Sequence, residues 1–268
     1  MQGIFFPKKR LGQHFVVDEA ALSREAELLG CEGCNVLEIG GGDGRLSKKI
    51  LSHSPSSLSI VEIHAPFASI LSRKFSGRKN VSIIRGDILH YLGTLPTPPF
   101  PFSHIIGNIP YQISGPLFSR LAQLKFERGV FCVQKEVAQR LCAAPGTSDW
   151  GRLSLAVSAA YSPSIAFSLP RTAFYPAPKV DSAVVAFMPN KEKLFLPPHF
   201  HSFSTALFSH KRKTVSNAIY DARAALALSK EEAKKFPLPQ KFSKRKVFTL
   251  TPHEWVELAL HFYKAVEK

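Results

Sequence analysis

Between residues 35 and 143 the chain repeats one pattern: a short apolar run, then a segment whose apolar side chains recur at helical spacing. The runs open at "NVLEI", "LSIVEI" (58–63), "VSIIRGDIL" (81–89), "HIIGNI" (104–109) and "GVFCVQ" (129–134). Runs this short and this apolar are strands covered on both faces, and a helix between consecutive strands implies a parallel crossover. A helix-like segment at 19–29 precedes the series, and others follow its strands at 65–75, 114–125 and 135–143. The pattern predicts a doubly wound α/β sheet that binds its ligands at the carboxyl ends of the strands.

The pattern changes near its end. "TLPTPPFPF" (94–102) is too rich in proline for a helix interior, and "FYPAPKVDSAVVAFMP" (174–189) reads as a punctuated loop followed by a strand at 182–187. From about Glu192 onward come helix-like segments and the basic clusters "SHKRKT" (209–214) and "KFSKRK" (241–246). The expected division is a sheet domain over 1–190, carrying a basic arm at 1–18, and a small, mainly helical basic domain over 191–268.

The chain of 268 residues carries 35 Lys and Arg against 20 Asp and Glu, a formal charge of +15. A surplus this large points to an anionic polymer, with nucleic acid ahead of a membrane surface. No stretch reaches the roughly 18 consecutive apolar residues of a membrane helix. The start, "MQGIFFPKKRLGQHF", lacks the apolar core of a secretory signal. Cys31 and Cys34 form a C-x-x-C pair without a second pair at ligand spacing, so the four cysteines are expected as free thiols in a reducing, cytoplasmic setting, with no metal.

"LEIGGGDG" places Gly40, Gly42 and Gly44 at the end of the first strand, where missing Cβ atoms let the backbone turn and approach a ligand. Glu62 closes the second strand, 22 residues after Gly40, at the distance where a carboxylate meets ribose hydroxyls. Asp87 closes the third, in reach of an adenine amino group. The loop lacks the Lys-Ser/Thr ending of a triphosphate cradle, and Arg45 stands where a dinucleotide loop has its third glycine. An adenosine without phosphates fits better, and S-adenosylmethionine is the candidate.

The fourth strand ends in "NIPY", Asn108 to Tyr111. Pro110 keeps Ile109 out of the helical region and donates no hydrogen bond, so the strand must stop there. The Asn108 side-chain oxygen and the Pro110 carbonyl are two acceptors for the hydrogens of an exocyclic amino group. Gripping both would draw the nitrogen towards tetrahedral geometry and aim its lone pair at a methyl group on sulfur. Tyr111 offers a ring for the base to stack on.

With these pieces the sequence resembles the small-subunit ribosomal RNA adenine N6,N6-dimethyltransferase family. The resemblance is carried by "KKRLGQHFVVD" (8–18), "LEIGGGDG" (37–44), "VEI" (61–63), "GDIL" (86–89), "GNIPYQIS" (107–114), "QKEVAQRL" (134–141), "WGRLS" (150–154), "AFYPAPKVDSAVV" (173–185) and "LFSHKRKTVSNAI" (207–219). It departs in carrying Gly41 where many relatives have proline, Ile109 where leucine is commoner, and His14 where asparagine is frequent.

The resemblance implies a Rossmann-like class I methyltransferase sheet with a helical carboxyl-terminal domain. It implies two methyl groups on each of two adjacent adenosines near the 3′ end of small-subunit rRNA, with S-adenosylhomocysteine as product. Gln13, His14 and Val16 would close over the methionine end of the cofactor with Gly40 and Gly42. Glu62 and Ile63 would meet the ribose, and Asp87 and Ile88 the adenine. Asn108 would face both cofactor and base, Pro110 and Tyr111 would hold the base, and Phe174 would stack on its other side, as an extruded base requires. Lys8, Lys9, Arg10, Lys211, Arg212 and Lys213 would meet RNA phosphates, in a monomer working on a ribosomal subunit or an assembly intermediate. Two alternatives stand beside this reading. One is a large-subunit adenine methyltransferase of the macrolide-resistance type; the other is a non-catalytic nucleic-acid-binding factor on the same fold.

Overall fold

The computed structural model describes residues 14–95, 100–192 and 194–266. It divides into two compact units. One holds the described residues through Gln139 together with Ser162–Pro189; the other holds Arg140–Tyr161 with the described residues from Asn190 onward. The first unit is built on a seven-stranded sheet. In chain order its strands are β2 (Asn35–Ile39), β3 (Ser57–Glu62), β4 (Val81–Arg85), β5 (His104–Asn108), β6 (Arg128–Gln134), β7 (Tyr161–Leu169) and β9 (Ser182–Pro189). A separate antiparallel ribbon pairs β1 (Phe15–Val16) with β8 (Phe174–Tyr175).

Across the sheet the strands run β4-β3-β2-β5-β6-β9-β7. β4 through β6 pair in parallel, and β9 adds antiparallel to β6, with Phe131 opposite Val185. The helices that precede and link the parallel strands are α1 (Glu19–Leu29), α2 (Arg45–Leu51), α3 (Ala65–Lys74), α4 (Ile88–Thr94) and α5 (Ser114–Leu121), and α6 (Lys135–Leu141) follows β6. Local signals set their ends. Asp18 caps α1 by accepting from the N–H groups of Ala20 and Ala21, both at 3.0 Å, and Gly30 closes it in the left-handed region at φ 58°. Asp87 caps α4 by accepting from His90 N–H at 3.0 Å.

This strand order positions the site. The chain winds outward from β2 through β3 and β4, then returns to lay β5 on the other side of β2. The winding therefore reverses between β2 and β5, where Ile39 pairs with Gly107, and a crevice opens beyond their carboxyl ends. The glycine loop follows one of these ends and Asn108 closes the other. Beneath them an apolar core gathers Val36, Ile60, Ile106, Val130 and Val184 with Leu22 and Leu29 of α1.

The second unit adds α7 (Arg152–Ser158), α8 (Phe200–Phe208), α9 (Val215–Asp221), α10 (Lys230–Lys234), α11 (Gln240–Ser243) and α12 (Pro252–Val266). Its core is aromatic: Phe208 stacks on Trp255 at 4.7 Å, and Phe203 lies 4.9 Å from Phe262. The sequence boundary at 190 needs correction on one count, because residues 140–161 belong with this unit. Trp150 and Leu155 are fully buried among Phe200, Leu207 and Trp255. Burial of one large side chain fixes that allegiance, and sequence order carries no trace of it.

Candidate active site

A cavity of about 380 Å³ lies at the crevice beside β2 and β5. Its lining brings together Gly40, Gly42, Glu62, Ile63, Asp87, Ile88, Asn108, Pro110, Tyr111 and Phe174, with His14 and Val16 from the amino-terminal side. These are the expected cofactor and base residues that fall within the described chain. Gln13, Lys8, Lys9 and Arg10 lie outside the described residues.

The glycine loop is pinned on both sides. Gly40 donates its N–H to Val61 O at 2.8 Å and sits at φ 75°, a conformation that glycine adopts without strain. Gly42, at φ 52°, lies under the Phe15 ring: a Cβ there would fall 2.7 Å from Phe15 Cε1. Phe15 belongs to β1, and its ring also meets Phe67 edge-on at 5.2 Å. The expectation named the residues on either side of Phe15 and missed the aromatic that roofs the loop. The signal was present in "QHF", an aromatic next to two residues already assigned to the cofactor.

Glu62 is 5% exposed, and two main-chain donors orient it. Gly42 N–H donates to Oε2 at 2.9 Å and His64 N–H to Oε1 at 2.8 Å. A carboxylate offers about four acceptor sites, so both oxygens keep lone pairs for ligand hydroxyls. The same carboxylate thus shapes the loop and faces the cavity. Asp87 spends one oxygen on its helix cap, which leaves the other as an acceptor at the same wall.

The opposite end differs. Asn108 is half-buried, and its Oδ1 is buried with no hydrogen-bond partner among the described residues. An unpaired buried acceptor costs about 1–3 kcal/mol. Proteins rarely keep one unless something else completes it. The Pro110 carbonyl, expected to be the second acceptor, is already engaged: Ile113 N–H donates to it at 3.2 Å. The Ser114 hydroxyl lies 3.5 Å from it and 3.3 Å from Tyr111 O. A hydroxyl has a single proton, so donation to Tyr111 O leaves one Pro110 lone pair available. The Ile109 carbonyl, one residue earlier, takes no hydrogen bond among the described residues.

Tyr111 and Phe174 both line the cavity, as a sandwiched base requires, but neither ring stands bare. Phe174 is 6% exposed and belongs to the apolar core. The Tyr111 ring is stacked by His14 at 5.7 Å and 23°, and His14 Nδ1 lies 2.7 Å from Pro176 O. The Tyr111 hydroxyl lies 3.3 Å from Ser182 Oγ, and burial raises its pKa, so it stays a neutral phenol. Cys132 also faces the cavity. Burial, reinforced by Glu25, pushes its thiol well above the ordinary value, which removes it as a nucleophile at neutral pH. All four cysteines are free.

Among the described residues no group of three or more His, Cys, Asp or Glu is arranged to hold a metal ion, and no helix is long and apolar enough to cross a membrane. The basic runs prove partly structural. Lys211 Nζ donates to Ser148 O at 2.8 Å and Trp150 O at 3.1 Å, and Lys213 pairs with Asp221 at 2.5 Å. Of that expected RNA-binding trio, Arg212 alone has no side-chain partner among the described residues.

The family model of the ribosomal RNA adenine dimethylases matches residues 5–244. The chain belongs to that family. Relatives named probable ribosomal RNA small subunit methyltransferase A agree along almost their whole lengths. The one from Methanopyrus kandleri is 33% identical over 266 residues, covering 94% of this chain and 91% of that one. The one from Thermococcus kodakarensis is 36% identical over 261 residues, covering 94% and 88%. Among solved structures, a dimethyladenosine transferase from Plasmodium falciparum superposes with a TM-score of 0.74 at 23% identity, covering 92% of this chain and 96% of that one. The 23S rRNA methyltransferase ErmE does so with 0.65 at 22%, covering 95% and 100%. These two similarities bear out the expected Rossmann-like methyltransferase fold, and the family brings the enzyme class, an adenine-dimethylating RNA methyltransferase.

Proposed function

We propose that this dimethylase uses S-adenosylmethionine to place two methyl groups on N6 of each of two adjacent adenosines near the 3′ end of small-subunit rRNA, one extruded base at a time. The observation that carries the reading is the Asn108 Oδ1 atom, buried, unpaired and set in the wall of the cavity at the switch point. An adenine N6–H is a donor of the right kind to complete it.

The residues present suit the cofactor. Glu62, held by Gly42 and His64, retains lone pairs for the ribose hydroxyls, and Asp87 offers an acceptor for the adenine amino group. The glycine loop under Phe15 leaves main chain, free of side chains, against the methionine end. When bound, S-adenosylmethionine supplies an electrophilic methyl group on a sulfonium. The chain supplies position and polarity. Asn108 Oδ1 takes one amino hydrogen, and a main-chain carbonyl takes the other. Ile109 O suits that second role better than Pro110 O, which the following turn already engages. Gripping both hydrogens withdraws the nitrogen lone pair from the ring and directs it at the electrophile. Each transfer leaves a proton on N6 that is lost to solvent, and after the first the one N–H that remains needs only one of the two acceptors to orient the second. Tyr111 and Phe174 flank the base, with the His14 ring moving off Tyr111 to admit it.

The test is incubation of the protein and labelled cofactor with under-methylated small subunits and, separately, with large subunits, followed by nucleoside analysis. The expected product is N6,N6-dimethyladenosine in small-subunit rRNA. Label confined to the large subunit, or absent from both, overturns the proposal.

A further inference from the structure

A second, polar cleft of about 580 Å³ opens beside the cavity in the same unit, lined by Lys135, Arg171 and Lys179 together with Gln134, Glu136 and Asp181. Three elements tie it to the base pocket. Gln134 ends β6, two residues beyond the cavity residue Cys132. Arg171 opens the 3₁₀ turn Arg171–Ala173, which leads straight into Phe174. Asp181 precedes Ser182, whose hydroxyl meets that of Tyr111.

The charges here are free among the described residues, in contrast to Lys211 and Lys213. Lys135, Arg171 and Lys179 are exposed, and none has an ion pair or a side-chain hydrogen bond among the described residues. Of the two carboxylates that line the cleft, Asp181 is engaged structurally. Asp181 Oδ1 accepts the main-chain N–H of Arg171 at 3.1 Å, and its carbonyl accepts the main-chain N–H of Lys135 at 3.0 Å. Asp181 therefore ties the two cationic residues to one point through their main chains and leaves both side chains unneutralised. Glu136 and the two glutamines that line the cleft add acceptors and donors suited to a ribose 2′-hydroxyl.

We propose that this cleft carries the phosphodiester backbone of the RNA strand next to the extruded adenosine, with Lys135, Arg171 and Lys179 as its phosphate partners. The inference rests on the RNA reading above. A base that enters the cavity past Tyr111 and Phe174 brings its neighbouring phosphates to the segments beside them. Arg171 stands three residues before Phe174, Lys179 three before Ser182, whose hydroxyl meets that of Tyr111, and Lys135 directly after β6, which carries the cavity residue Cys132.

The experiment compares the full-length parent with a Lys135→Ala, Arg171→Ala, Lys179→Ala triple variant and with Lys179→Gln alone. Methyl transfer to under-methylated small subunits is followed across a salt series, and cofactor affinity is measured by calorimetry. For the triple variant the expected result is a KM for RNA raised about tenfold or more, kcat within about twofold, and unchanged cofactor affinity. The log–log salt dependence should become shallower by about 0.7 for each phosphate no longer neutralised. Lys179→Gln reports the same change for a single phosphate and covers the case of a triple variant that fails to fold, recognised by its failure to bind cofactor. Unchanged KM and salt slope in an active, folded variant overturn this inference alone. A loss of cofactor affinity by Lys179→Gln overturns it too, because the cleft then serves the cofactor. A parent that methylates no rRNA overturns the functional reading, and this inference falls with it.

Discussion

Among the buried polar groups of the sheet unit that lack partners, two kinds mean opposite things. Asn108 Oδ1 is one. The other comprises the carboxyls of Glu25 on α1 and Glu38 on β2, both fully buried and without hydrogen-bond partners among the described residues. Burial pushes the Glu25 pKa to about 8, with Glu38 adding to the rise. Burial likewise raises Glu38 to about 8, and the nearby Ser47 hydroxyl opposes only part of that shift. The carboxyls can shed their charge by keeping a proton and so persist in an apolar core. An amide oxygen has no such escape, and Asn108 lines a cavity instead of filling a core. An unpaired group marks a site only where a ligand can reach it.

Breaking the comparison at its functional end should give the largest effect. Asn108→Ala is expected to lower the rate of methyl transfer by about 10²–10³, the usual cost of removing one transition-state hydrogen bond, while leaving cofactor affinity near parental. Single-turnover transfer set beside calorimetry measures both. Near-parental transfer would place Asn108 with the tolerated orphans.

At the structural end the sign reverses. Glu25→Leu removes a buried polar group and is expected to stabilise the fold at pH 8 by about 1–3 kcal/mol, with kcat unchanged. Thermal melts read the first and turnover the second. The parent should also lose stability as the pH rises from near the unfolded carboxyl value of 4.5 to about 8. Across that window the folded state holds protons that the unfolded chain releases, so raising the pH favours unfolding; above it the contribution levels off. Glu25→Leu should flatten this slope, and a melt series from pH 5 to pH 9 checks it.

Tyr111→Phe probes a third case, a buried polar group that already has a partner within the chain. It removes one hydrogen bond to Ser182 and leaves the ring, so kcat should fall by no more than about tenfold, in line with a net bond of about 0.5–1.5 kcal/mol. A hundredfold loss would give the hydroxyl a part in the chemistry.

Much of this architecture is legible in the amino-acid order alone. The alternating runs foretell β2, β3, β5 and β6 within a residue or two, and Asp18 and Gly30 mark the ends of α1 where the structure has them. The third run overshoots: β4 stops at Arg85, four residues before the run ends, because Asp87 caps α4 instead of closing the strand. The residues expected at the cofactor and the base, where described, do line one cavity. Other features stay hidden because they depend on partners distant in the chain. Phe15 gains its place over Gly42 only through pairing with β8, some 160 residues later. The run 211–213 reads as a single phosphate-binding cluster, but two of its three cations are taken by Trp150, Ser148 and Asp221. Lys135, Arg171 and Lys179, scattered in the sequence, line one cleft.

The sequence by itself determined the strand and helix alternation, the glycine turn and the stop at Asn108-Ile109-Pro110. These follow from backbone rules that act within a few residues: the freedom of glycine, the fixed φ and missing N–H of proline, and the reach of a capping carboxylate. Only the tertiary structure decided which polar groups would be satisfied, which cations would remain free, and which orphaned acceptor would face a cavity. Those outcomes depend on water being excluded by residues from every part of the chain at once, and no local rule contains that information.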